Sequence, residues 1–61
     1  MYRYKLYELD GVEAGEAHYA VLIAAGEIIW TGGGRKLRVV DLLPTTEADR
    51  PYIGLLRVEP A

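Results

Sequence analysis

The chain has 61 residues, no cysteine, one histidine and a formal net charge of −2, and 51% of its residues are hydrophobic. This length holds one domain, residues 1–61, and an apolar core must stabilise it because disulfides and thiolate zinc sites are excluded. The charge argues against a protein dedicated to nucleic acid, and no run approaches the ~20 apolar residues that span a bilayer. We therefore expect a cytoplasmic protein with no membrane contact.

The first part of the chain predicts two strands separated by a loop. Side chains alternate over Tyr2–Leu9 as in a half-buried strand, and Asp10–Glu16 begins with an Asp-Gly turn signal and is expected to be a loop. The next segment, Ala17–Ala24, fits two structures. Its Tyr-Ala-Val-Leu-Ile run favours a strand, whereas the alanines of residues 13–25 also suit a helix that Gly26 would cap.

Three consecutive glycines, Gly32–Gly34, join two apolar, β-branched runs and predict a hairpin. Its strands are expected over Glu27–Thr31 and Arg35–Leu43, and Pro44 ends the second strand because proline cannot donate to a central ladder. A phosphate-binding loop needs a helix, and a Ser or Thr after its lysine, but strand-like residues follow Lys36. The glycines therefore indicate a turn and not a ligand site.

The remaining residues predict a short polar turn and a final strand. Thr45–Pro51 suits one helical turn with Thr45 or Thr46 as its N-cap, and Tyr52–Glu59 is expected to be the last strand, which Pro60 ends. Five short strands in so small a chain predict an all-β fold. The expected architecture is a single five-stranded barrel with a glycine-rich hairpin between its third and fourth strands.

This layout resembles that of SH3-like small barrels. The shared features are a long loop after the first strand, a tight glycine hairpin between strands three and four, and a short turn before strand five. The chain is also similar to short uncharacterised bacterial proteins made of one such barrel. The resemblance implies a fold and no binding residues, because no ALYDY-like run of aromatic and acidic residues follows the first strand.

The sequence contains no catalytic, metal-binding or cofactor-binding constellation. His18 is the only side chain that titrates near neutral pH, and the chain has neither Cys nor Ser to act as its nucleophile. Acid–base catalysis also needs a cavity that excludes water, and side chains fill the interior of so small a barrel. We therefore expect no enzyme, no cofactor and no small-molecule substrate.

The basic residues concentrate on the predicted glycine hairpin. Lys36 and Arg38 share a strand face by the two-residue period, next to the turn, and an aromatic ring beside them would stack on a base. A solvated face that keeps the chain soluble explains them without a ligand. The alternative function is nucleic-acid or anion binding, with candidate contacts Arg35, Lys36, Arg38 and Trp30, extended by Arg3 and Lys5.

Several predicted strands are apolar on both faces, although a solvated sheet face should alternate with polar residues. These runs are Val21-Leu22-Ile23, Ile28-Ile29-Trp30, Val39-Val40, Leu42-Leu43 and Leu55-Leu56. A small barrel buries only one such set, and exposed apolar patches mark partner or self-interfaces. The sequence therefore predicts a non-enzymatic protein-interaction or self-assembly module, bound to a protein partner or to further copies of itself. The candidate interface residues are Ile29, Val40, Leu42 and Leu55.

Overall fold

The computed structural model describes all residues from Met1 to Ala61 and contains five strands. In chain order they are β1 (Tyr2–Glu8), β2 (Glu13–Tyr19), β3 (Ile28–Trp30), β4 (Lys36–Leu43) and β5 (Gly54–Pro60). The only helix is the 3₁₀ turn Glu47–Asp49, which is far too short to cross a membrane. The predicted all-β fold with five strands is confirmed.

The strands form one mixed sheet in the order β2-β1-β5-β4-β3. The central pair, β1 and β5, is parallel, and the other neighbouring strands are antiparallel. The edge strands β2 and β3 do not pair with each other, so the sheet covers half a barrel. One hydrogen bond bridges the gap between these edges, since the Tyr19 hydroxyl donates to the Trp30 carbonyl oxygen at 3.0 Å.

The core lies on the inner face of this half-barrel, where alternate side chains of each strand meet. Leu56 is 0% exposed because its strand, β5, has a neighbouring strand on each side. Ile23 is the one core residue that comes from outside the strands. The complete core is Tyr4, Leu6, Ala17, Ile23, Ile29, Leu37, Val39, Leu56 and Val58.

Strand β2 begins and ends earlier than the sequence predicts. The predicted loop Asp10–Glu16 is too long and the predicted strand Ala17–Ala24 begins too late, because the turn after β1 is tight. Within this turn the Gly11 N–H donates to the Glu8 carbonyl at 2.9 Å, and the Glu8 N–H donates to the Val12 carbonyl at 2.8 Å. The chain therefore returns at once and pairs with β1.

After Tyr19 the chain leaves the sheet and crosses the open side of the half-barrel. The Ile23 backbone N–H donates to the Tyr4 hydroxyl at 2.9 Å, and this hydrogen bond is buried. It holds the segment 20–25 above the core. The alternative of a helix over residues 13–25 is wrong, because these residues form a strand and then an irregular crossing.

Two turns connect the last three strands. In the glycine turn between β3 and β4, the Thr31 N–H donates to the Arg35 carbonyl at 3.0 Å. Gly34 has a φ of +81° there, a left-handed conformation that glycine adopts without strain. Before β5, the Asp49 carboxylate accepts the Thr46 backbone N–H at 2.8 Å and closes the 3₁₀ turn.

Candidate interaction surface

An open groove lies where the segment 20–25 faces the end of β4. Its volume is about 510 Å³. Tyr4 and Ile23 are buried at its base, whereas Leu22, Leu42 and Ile53 remain 64%, 47% and 45% exposed. A cluster of large, solvent-exposed apolar side chains is typical of an interaction surface. We call it the apolar groove, and its lining is Tyr4, Leu22, Ile23, Leu42, Leu43, Pro44 and Ile53.

A β-bulge in β4 supplies one wall of the apolar groove. Val39 lies on the inner face, and a two-residue period would place Asp41 there as well. The bulge at Val40 adds one residue to the strand, so Asp41 instead lies opposite Arg57 on the outer face. Leu42 then takes the inner position, and an apolar side chain faces the groove where a carboxylate would have been.

Tyr4 fixes the base of the apolar groove. Its hydroxyl already accepts the Ile23 N–H, so the lining offers no unpaired buried side-chain polar atom. The ring needs the space beside Gly54, because a Cβ at that position would lie 2.8 Å from the Tyr4 Cε1. The groove is therefore shaped by a buried ring and suits an apolar occupant.

The four residues predicted for the interface lie in different environments. Leu42 lines the apolar groove. Val40 is 36% exposed at the bulge, and Leu55 is half-buried on the outer face opposite Lys5. Ile29 is only 3% exposed and belongs to the core. We leave Ile29 out of the proposed surface because a partner cannot reach it in the folded chain.

Two exposed groove residues, Leu22 and Ile53, are not among the four interface residues that the sequence predicts. Both lie outside the strands, in the segment 20–25 and just before β5. Alternation assigns a residue to a face only within a strand. The sequence signal for Leu22 was the unbroken Val21-Leu22-Ile23 run, and Ile53 had no comparable signal.

The outer face of the sheet carries ion pairs between neighbouring strands. These pairs neutralise two of the cations proposed for nucleic-acid contact, Arg38 and Lys5, and exposed pairs of this kind add little stability. For Lys5, the hydrogen bond with Glu13 raises the pKa of the ammonium group, against partial desolvation. The pairs are Lys5–Glu13 at 3.1 Å, Arg38–Glu59 at 3.3 Å and Arg57–Asp41 at 3.3 Å.

Trp30 and Lys36 are direct partners across the β3–β4 pair. The Lys36 Nζ lies 5.9 Å from the centre of the Trp30 ring, and the tryptophan is 60% exposed. Arg35 precedes Lys36 in the turn and makes no ion pair. The structure thus brings Trp30 and Lys36 together, and Arg38, two residues along on the same face of β4, is paired with Glu59.

A polar cluster on the outer face of β1 and β2 contains the single histidine. The Arg3 Nε–H donates to His18 Nε2 at 3.2 Å, and a Glu16 oxygen lies 3.5 Å from the same nitrogen. The Tyr52 hydroxyl donates to the other Glu16 oxygen. The cluster is exposed, and no group of three or more His, Asp or Glu side chains in the protein is placed to hold a metal ion.

Because of the Tyr52–Glu16 hydrogen bond, we expect the stability of the fold to depend on pH in the acidic range. This hydrogen bond is the largest cause of the lowered pKa of Glu16, and it raises the pKa of Tyr52. Because the folded pKa of Glu16 is depressed, its stabilising contribution is present above the pKa of an unfolded glutamate, about 4.3. That contribution disappears as the pH falls through the folded pKa. Tyr52→Phe should raise the pKa of Glu16, measured by NMR titration of its carboxyl carbon.

The matched control for this titration is Tyr7→Phe, which removes a hydroxyl from the same face without touching Glu16. It should leave the pKa of Glu16 unchanged. Equal titration curves for Tyr52→Phe and the wild-type protein would show that the hydrogen bond does not exist in solution.

No family model matches the chain, and no curated protein or solved structure matches it. The SH3-like layout stays a prediction. One of its elements is corrected by the structure, because the connection after β1 is a four-residue turn, residues 9–12, and not a long loop.

Proposed function

We propose that the chain is a non-enzymatic protein-interaction module of the cytoplasm that binds apolar side chains in the apolar groove. The observation that carries the proposal is the exposure of Leu22, Leu42 and Ile53 around a buried apolar base. Apolar side chains exposed around a groove are a common feature of protein-binding surfaces.

The chemistry of the groove supports binding and not catalysis. Its lining includes no charged residue, and its one side-chain hydroxyl, on Tyr4, is engaged by the Ile23 N–H. A catalytic pocket needs convergent polar groups to orient a substrate and move protons. The only histidine lies elsewhere, on the outer face, where Arg3 and Glu16 contact it.

Burial of the three exposed side chains provides the driving force for a contact. Fully burying a Leu or Ile side chain contributes about 1.5–3 kcal/mol. Because Leu22, Leu42 and Ile53 are roughly half exposed, covering all three contributes about 2–5 kcal/mol. Residues that contribute free energies of this size lie at the centre of an interface, where the surrounding residues exclude water.

Retention of partners by groove variants tests the proposal. Immobilised wild-type protein should retain one or more specific proteins from an extract of its native cells, and Leu42→Asp should lose them because a carboxylate cannot be buried unpaired in the groove. Leu9→Asp is the matched control, since Leu9 is 54% exposed in the turn after β1. Circular dichroism confirms that each variant is folded, and equal retention by both variants would refute the proposal.

A second candidate function rests on the Trp30–Lys36 pair. An exposed aromatic ring beside Lys36, a cation that makes no ion pair, is the arrangement on which bases of single-stranded nucleic acid stack. Quenching of Trp30 fluorescence by an oligothymidylate would support it, provided that binding weakens steeply with salt. Lys36→Glu should abolish that quenching, whereas Arg38→Glu, at a cation already paired with Glu59, should reduce it less. If the quenching were the same in the wild-type protein and in both variants, nucleic-acid binding at Trp30 would be excluded.

A further inference from the structure

We infer that the apolar groove receives a second copy of this chain. In this arrangement a two-fold axis relates the copies, and residues Val21 and Leu22 of each copy pack into the groove of the other. The inference rests on the proposed function and names its partner. Its basis is the shape, charge and size of the surface around the groove.

The shape of this surface is self-complementary. Val21 and Leu22 are 62% and 64% exposed, so they protrude beside the concave groove that Leu22 itself helps to line. The next residue, Ile23, is anchored by its hydrogen bond to the Tyr4 hydroxyl, which holds this protruding pair in place. A two-fold contact requires one patch that fits its own copy. An apolar projection next to an apolar groove meets that requirement.

The charge distribution also favours a second copy. A two-fold contact brings identical charges face to face, which is costly where a patch carries unpaired charge. The groove lining carries none, and Asp41, next to Leu42 in the chain, is paired with Arg57 on the outer face.

The area that a stable dimer needs is a modest fraction of the surface of this chain. A standard interface buries about 800 Å² per partner, roughly a fifth of the 3994 Å² accessible surface of the chain. Centred on the groove, such an interface would bury Val21, Leu22, Leu42 and Ile53 together.

Sedimentation equilibrium across micromolar to millimolar concentrations tests this inference. The mass of the wild-type protein should rise with concentration from 6.8 kDa towards twice that value. Leu22→Asp should raise the dissociation constant at least about tenfold, as expected for a central interface residue. Leu22 is mostly exposed, so the folded monomer should tolerate the change, and Val21→Asp provides a second variant with the same expectation.

Leu9→Asp is the control with the same change of side chain and charge, roughly 16 Å from Tyr4 along the extended chain. It should dimerise like the wild-type protein. A wild-type mass that stays at 6.8 kDa at millimolar concentration would overturn the inference, as would equal weakening by Leu22→Asp and Leu9→Asp. If the wild-type chain stayed monomeric, but a different protein bound it and Leu42→Asp abolished that binding, the proposed function would survive while this inference failed.

Discussion

Replacing Leu56 with alanine should lower the free energy of unfolding by about 2–5 kcal/mol. Leu56 is 0% exposed on the central strand β5, so truncation removes buried methyl groups and leaves a cavity that paired strands on both sides cannot close. A domain of this length is stable by roughly 3–9 kcal/mol. The substitution should therefore remove a large part of the total stability, measured by urea unfolding followed by circular dichroism.

The control for Leu56→Ala is Leu9→Ala, at a leucine that is 54% exposed in a turn. Its effect should stay within about 0.5 kcal/mol, as for surface positions in general. If both substitutions lowered the unfolding free energy equally, Leu56 would not lie in the core of the folded protein.

Gly54→Ala should destabilise the protein by about 1–3 kcal/mol, the range for overpacking a core. The added Cβ would meet the Tyr4 Cε1 at 2.8 Å and the Leu42 Cδ1 at 3.2 Å. The Tyr4 ring must then move, and its hydroxyl would lose its position for the Ile23 N–H. An unpaired buried donor adds to the cost. Thermal unfolding provides the measurement, and the groove should change shape in the same variant.

Gly33→Ala is the matched control within the glycine turn. A Cβ at Gly33 meets nothing within 4 Å, and its φ is not left-handed. The same chemical change should therefore shift the unfolding free energy by no more than about 0.5 kcal/mol. A smaller loss for Gly54→Ala than for Gly33→Ala would contradict the close packing of Tyr4 against β5.

The strands and turns could be predicted where local patterns determine them. Alternation across Tyr2–Glu8 and the β-branched residues of β4 are local signals, and so are the proline that ends β4 and the glycine at position 34. The position of β2 was not predictable in the same way. Its first four residues, Glu13–Glu16, include two glutamates and a glycine, which do not favour a strand. They form one because they pair with β1.

The apolar groove was predictable only as an excess of apolar residues. Its location depends on features that are not local, namely the bulge at Val40 and the buried Tyr4–Ile23 hydrogen bond. A one-residue bulge places Asp41 on the outer face and Leu42 on the inner face, and the alternation of residues in β4 does not predict this bulge. Ile29 was predicted as an interface residue because Ile28, Ile29 and Trp30 are all apolar, so alternation does not indicate which of them faces inward. In the structure the Ile29 side chain belongs to the core.

Site-specific photo-crosslinking at position 42 tests most directly whether the apolar groove is a protein-binding surface. A benzophenone side chain at position 42, compared with one at position 9, should give a discrete covalent adduct heavier than the 6.8 kDa chain. The adduct should form with purified protein or with native extract, and only from position 42. The absence of any adduct from position 42, or equal adducts from both positions, would contradict the assignment.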